Sequence, residues 1–142
     1  MYDNVLVATD GSSGTTETLE HAVTIARDND AVLHGLYVVD RRLVLAAEKD
    51  TQEDIRQSLE EEGEVALDEI VVRGEEAGLT VETRMADGIP HKTIADYAEN
   101  DVDLVVMGTH GRTGRERVAN LGSVTERVVG SSPVPVLVVH ID

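Results

Sequence analysis

The order of apolar segments along the chain predicts an α/β fold: an open, doubly wound parallel sheet of five strands carrying about four helices. Three observations lead there. Short charge-free apolar runs alternate with stretches whose apolar residues recur at helical spacing, the pattern of strand-helix-strand units. The run LVVM has no polar position at all, as expected of a central strand covered by helices on both faces. The length of 142 residues supports one core rather than two, so a single domain over residues 1–142 is expected.

The elements follow in order. Residues 5–8 (VLVA) form a buried strand that opens into Thr9-Asp10-Gly11-Ser12. Leu19, Ala22, Val23 and Ala26 then mark one face of a helix, with Ser12 or Ser13 as its start signal. Residues 31–39 (AVLHGLYVV) are the second strand, followed by the charged Asp40-Arg41-Arg42. Across residues 51–77, Ile55, Leu59, Ala66, Ile70 and Ala77 share a broad face that stops near Gly78, while Gly63 and Gly74 weaken the case for one unbroken helix. Residues 80–85 (TVETRM) alternate as a third strand. Ile89-Pro90 then starts a helix that turns Ile94, Tyr97 and Ala98 inward and ends near Asn100.

Residues 102–107 form the fourth strand, and a glycine-rich stretch leads from it to a helix through Ser123 and Val129. The last strand runs from Val134 to Ile141, with Pro133 before it and Pro135 inside it; proline cannot supply a ladder donor, which suits a sheet edge. Right-handed crossovers in such a chain give a Rossmann-like sheet of order 3-2-1-4-5. An uncharged strand at an edge leaves unpaired backbone groups, so a homodimer joined through Val134 to Ile141 is the expected way to cover it.

Composition removes several function classes. There is no cysteine, hence no disulfide framework, thiolate metal site or cysteine nucleophile. The formal charge is −16, with two lysines (Lys49 and Lys92) beside ten arginines; this repels nucleic acid and anionic membranes, and neither is an expected partner. The carboxylates fall beside apolar positions as solvated helix faces, and their surplus looks like that of proteins adapted to a salt-rich cytoplasm. With no basic leader and no apolar segment near the ~20 residues a membrane helix needs, a cytoplasmic protein is the expectation. His21, His34, His91 and His140 are scattered without metal-ligand spacing.

In an open parallel sheet, ligands bind beyond the carboxyl ends of the strands where the strand order reverses. The loops Thr9-Asp10-Gly11-Ser12 and Gly108-Thr109-His110-Gly111 meet there. Gly108 and Gly111 can take positive φ and let backbone amides approach an anion, while Gly122-Ser123 opens a helix whose dipole favours negative charge. The hydroxyls of Ser123 and Thr125 offer further donors to the same phosphate. Taken alone, glycines between a strand and a helix are commoner as turn residues. The P-loop lysine motif GxxxxGK[ST] is absent, as is GxGxxG in the first turn.

Together, VLVATDGS, LYVVD, VDLVVMGTHGRTG, LGSVTERVV and PVPVLVV resemble the universal stress protein family across essentially the whole chain. The resemblance implies an ATP-binding subgroup whose motif is glycine, two residues, glycine, nine residues, glycine, then serine or threonine. Gly108, Gly111, Gly122 and Ser123 match it in kind and order, but the interval RTGRERVANL between Gly111 and Gly122 is one residue longer. By this likeness, the backbone of Ala8, Thr9 and Val38, with Met107, lines the adenosine end. Asp10 lies near the ribose or a Mg2+ or Mn2+ ion on the phosphates. Gly108, His110, Gly111, Arg112, Gly122, Ser123, Val124 and Thr125 surround the phosphates.

Each role has a plainer competitor: Asp10 or Thr9 tying down its own turn, Val38 as core, His110 as a solvent-facing loop residue. Arg112, Arg115 and Arg117 either neutralise phosphates or pair with surface carboxylates. The implied function is a dimeric, ATP-binding stress-response sensor or regulator with at most slow hydrolysis or autophosphorylation at Ser123 or Thr125. The alternative is a nucleotide-free interaction module of the same family.

Overall fold

The computed structural model describes residues 1–12, 15–109 and 122–141. Its elements run β1 (Asn4–Thr9), α1 (Thr15–Asn29), β2 (Val32–Asp40), α2 (Arg41–Leu45), α3 (Gln52–Glu76), β3 (Val81–Gly88), α4 (Pro90–Asn100), β4 (Leu104–Gly108), α5 (Ser123–Ser131) and β5 (Val136–Val139). The strands pair in parallel in the order β3-β2-β1-β4-β5, as the alternation of segments predicts.

Strand alternation sorts the core into two layers. Val5 and Val7 of β1, Leu33, Tyr37 and Val39 of β2, and Leu104 and Val106 of β4 pack with α1 (Leu19, Ala22, Ala26) and α3 (Leu59, Leu67, Ile70). The intervening residues Leu6, Leu36, Val38, Val105 and Met107 pack on the other side with Ile94, Tyr97 and Ala98 of α4 and Val128 of α5. Because both faces of β1, β2 and β4 are covered, these strands read as nearly continuous apolar runs. The edge strand β3 has one strand neighbour, and its residues Glu82, Thr83 and Arg84 are exposed.

The structure departs from the sequence expectation at three places. A fifth helix, α2, follows β2 directly: the Asp40 carboxylate accepts the Arg42 amide at 3.0 Å and caps a helix too short to show a period. The final strand spans Val136–Val139 rather than Val134 to Ile141: Pro135 contributes only its carbonyl, accepting from the Val105 amide at 3.0 Å, and the Ile141 amide donates to the Thr109 hydroxyl instead of a ladder carbonyl. And α3 runs unbroken through Gly63 and Gly74.

Those two glycines are packing residues. A Cβ on Gly63 would stand 2.4 Å from the ring of buried Tyr37 and 2.8 Å from Met85, and one on Gly74 would stand 2.4 Å from Val81. Gly35 on β2 reciprocates, since a Cβ there would reach Ile70 at 2.9 Å. The helix sits low on the sheet because these side chains are missing, and close packing offsets the lower helix propensity of glycine.

At the amino ends of the strands, His34 is buried between Tyr97 and Asn4. The Asn4 Oδ1 carbonyl can only accept, so His34 Nε2 donates to it at 2.9 Å; Nδ1 is then the acceptor for the Tyr97 hydroxyl at 2.8 Å. Burial pushes the imidazole below its ordinary 6.5, against the opposing pull of Glu82, Asp101 and Asp103. The Asp103 carboxylate in turn accepts the amides of Asp3 and Asn4, and the Arg84 guanidinium lies 5.8 Å from the centre of the Tyr97 ring. Among the described residues no helix is long and apolar enough to cross a membrane.

Two measurements check this packing. In urea denaturation, Gly63→Val should lose about 2 kcal/mol or more by overpacking Tyr37. Gly130→Ala, in a helix position with no atom within 4 Å of the added Cβ, should gain about 0.5–1 kcal/mol; equal effects of the two would contradict the seating of α3. His34 makes stability depend on pH. Because its folded pKa lies below the unfolded value near 6.5, the unfolded chain binds the proton first, and stability present above pH 6.5 is lost as pH falls through the folded pKa. Between pH 7.5 and 5.5 the wild-type chain should lose more stability than a His34→Gln variant. Parallel losses would show that His34 does not titrate differently on folding.

Candidate functional site

A cleft of about 290 Å3 opens beyond the carboxyl ends of β1 and β4. From β1 the chain turns to α1 on one face, and from β4 it continues to α5 on the other, so the two connections part and leave a gap. One wall is apolar: Ala8, Leu36, Val38, Pro90, Ile94 and Met107. The α1 side carries the polar groups of Thr9, Asp10, Ser12, Thr15 and Thr18, with Tyr37 and Leu59 beside them. The amino end of α5 (Gly122, Ser123, Val124, Thr125) and Ile141 close one end, and Asp40, Arg42 and Leu43 stand at another side.

The turn after β1 is held by its own side chains. The Asp10 carboxylate accepts the Ser12 amide at 2.9 Å, and the Thr9 hydroxyl accepts the Gly11 amide at 3.0 Å while bonding to the Thr15 hydroxyl at 2.8 Å. Gly11 has φ +82°, the left-handed conformation this turn needs. Thus Asp10 and Thr9 both face the cleft and tie down the turn.

At α5 the first intrahelical bond runs from the Glu126 amide to the Gly122 carbonyl at 2.9 Å, and the Gly122 cap brings no side chain. The preceding amides of Val124 and Thr125 therefore have no acceptor within the helix, and they stand at the positive end of its dipole. The start of the helix is stapled to β4 twice: the Gly122 amide donates to the Thr109 carbonyl at 2.7 Å, and the Thr125 hydroxyl donates to the Gly108 carbonyl at 2.7 Å.

Of the residues singled out by sequence, Ala8, Thr9, Asp10, Val38, Met107, Gly108, Gly122, Ser123, Val124 and Thr125 all line this cleft. His110, Gly111 and Arg112, with Arg115 and Arg117, lie outside the described residues. Three details differ from expectation. Among the described glycines only Gly11 and Gly78 have positive φ; Gly108 does not, and Gly122 is extended at φ −62°, ψ 156°. Gly108 is constrained by space instead: a Cβ would stand 2.1 Å from Ile141 Cδ1 and 3.2 Å from the Thr18 hydroxyl. The Gly122 amide and the Thr125 hydroxyl donate to carbonyls of the fold, so the anion-facing donors at this end are the first-turn amides that follow Gly122.

Sequence reasoning missed Leu36, Pro90, Ile94, Arg42 and Ile141 as lining residues. Leu36 and Ile94 carry the same apolar signal whether they face a helix or a cavity. Ile141 lies beyond the end of β5 at Val139, where the sequence reading continues the strand. Arg42 is held by Asp40 through two bonds, Nε to Oδ1 at 3.0 Å and a terminal nitrogen to Oδ2 at 2.9 Å. This pairing, ahead of the opposing effect of partial burial, keeps the guanidinium charged. Among the described residues no three His, Asp or Glu side chains converge as metal ligands.

The model of the universal stress protein family matches residues 1–140. Universal stress protein MJ0531 of Methanocaldococcus jannaschii is 41% identical over 141 residues, covering 98% of this chain and 82% of that protein. Among solved structures, MJ0577 of the same organism is similar with a TM-score of 0.87 and 32% identity, covering 100% of this chain and 98% of that one. A universal stress protein solved in complex with cAMP has a TM-score of 0.72 and 28% identity, with 99% of each chain covered.

Proposed function

The chain belongs to the universal stress protein family, and on that premise we propose that it is an ATP-binding, dimeric stress-response sensor or regulator, folded as one domain over residues 1–142 and acting in the cytoplasm. The observation that carries this reading is the two-ended cleft at the β1–β4 reversal. Its apolar wall suits a flat purine, its Thr9–Asp10 side suits a ribose, and the amino end of α5 suits an anion. The cAMP complex of a similar protein supports the adenine ligand.

In this reading, Ala8, Val38, Ile94 and Met107 hold the base and exclude water from it. Asp10 borders the ribose and would hold a Mg2+ or Mn2+ ion carried on the phosphates. Val124 and Thr125 meet the phosphates with backbone amides, together with Gly108 and Ser123 on the same rim and with His110, Gly111 and Arg112 by family likeness. ATP, when bound, would supply a polyanion for these amides to meet. Rapid phosphoryl transfer needs a positioned cation and a group that orients the attacking oxygen. The carboxylate nominated for the metal already accepts the Ser12 amide, so we expect slow hydrolysis or autophosphorylation at most. The partly exposed apolar residues of β5, Val136, Leu137 and Val138, support a homodimer through that edge.

A second reading has its own observation. With the Gly122 amide on the Thr109 carbonyl, and with one more residue than the family motif before Gly122, the cradle has one donor fewer. A nucleotide-free interaction module would look the same from the sheet side.

The two readings separate in one experiment. Protein purified without added nucleotide is denatured and the supernatant analysed by mass spectrometry, while the melting temperature is followed against ATP. ATP binding predicts released adenine nucleotide, or stabilisation that reaches about 2.7 kcal/mol at 100 times Kd. An empty supernatant together with a melting temperature indifferent to millimolar ATP would leave the interaction module standing.

A further inference from the structure

Three chain segments meet at Thr109. Its amide donates to the Val139 carbonyl at 2.9 Å, continuing the β4–β5 ladder by one rung. Its carbonyl accepts the Gly122 amide at 2.7 Å, which sets where α5 begins. Its hydroxyl oxygen accepts the Ile141 amide at 3.1 Å, which ties the chain beyond β5 to the end of β4. The first two bonds use backbone atoms that any residue other than proline supplies. The third depends on the side chain, and it is the bond that delivers Ile141 to the cleft.

Ile141 is buried and lines the cleft beside Gly108 and the amino end of α5. The fit is close enough that a Cβ on Gly108 would stand 2.1 Å from Ile141 Cδ1. Ile141 therefore forms the floor of the anionic end. With that floor in place a polyanion has no room to settle toward β5, and its oxygens are held against the first-turn amides of α5. Hydrogen bonds from a helix terminus weaken steeply once the acceptor moves off their direction, so a wall that fixes the acceptor preserves what the donors contribute.

We infer that Thr109 is a positioning residue: its hydroxyl holds Ile141 as the floor beneath the phosphates, so that it governs binding of the phosphate chain while leaving the nucleoside end untouched. This rests on the nucleotide reading of the cleft. It also separates Thr109 from the residues that touch ligand, since its hydroxyl acts through Ile141.

The test compares ATP with adenosine by isothermal calorimetry on the full chain. Thr109→Val preserves the branched shape and both backbone bonds but removes the acceptor. It should weaken ATP about fivefold or more, the equivalent of one net hydrogen bond, while adenosine stays within about twofold. Thr109→Ser, which restores the oxygen, should return ATP to within about twofold of wild type, and Ile141→Ala should reproduce the valine pattern. Amide exchange gives a second readout: in Thr109→Val the Ile141 amide should exchange faster than in wild type.

Equal ATP affinity in Thr109→Val and wild type would overturn the inference. So would an equal loss for ATP and adenosine, because that is the signature of general destabilisation. If the wild-type chain itself binds neither ligand, the nucleotide reading fails and this inference with it, an outcome the wild-type arm reports without any variant.

Discussion

β1 and β4 lie side by side in register, Val5 opposite Leu104 and Val7 opposite Val106, yet the chain leaves them toward opposite faces of the sheet. This divergence is the constraint on which the rest depends. Parallel pairing demands a crossover after each strand, and right-handed crossovers to the two faces cannot both cover the carboxyl ends of the central pair. The gap that remains is bounded by whatever follows each strand: the TDGS turn on one side and the start of α5 on the other. The cleft is thus a by-product of closing a doubly covered sheet, and its chemistry was free to be set by a few residues at its rim.

Those rim residues are largely committed to the fold before any ligand arrives. Asp10 and Thr9 hold their own turn, Thr125 holds Gly108, and the Gly122 amide holds Thr109. Such double duty makes the site rigid, because hydrogen bonds fix the side chains that face the cleft. It also narrows the chemistry, since groups already bonded have little capacity left to move protons.

Much of this was legible in the sequence. The parallel, doubly wound sheet of five strands followed from the alternation of apolar runs, and the lining residues around TDGS and LGSVT followed from their place at strand ends. What escaped has physical causes. The five residues of α2 are too few to show a period, and the helix exists because the Asp40 carboxylate caps it. Gly63 and Gly74 counted against a continuous helix because propensity is local, whereas the space they vacate is filled by Tyr37 and Val81 from strands elsewhere in the chain. Gly108 is expected from sequence to take positive φ beside an anion, but its constraint is the Ile141 side chain, held there by a hydroxyl on the neighbouring residue. Leu36 and Ile94 were indistinguishable from core, since a cavity wall and a helix contact ask for the same side chain.

The two borders of the sheet are unlike. Along β3, Glu82, Thr83 and Arg84 stand exposed in a row, while β5 offers Val136, Leu137 and Val138 without a charge among them. A strand docking from outside would meet polar, exposed side chains on the first border and apolar ones on the second. Of the two borders, only β5 presents an apolar strand without a charge. In the proposed homodimer, pairing two such rims would use up both, so growth by strand addition would end at a closed pair rather than propagate into a fibre.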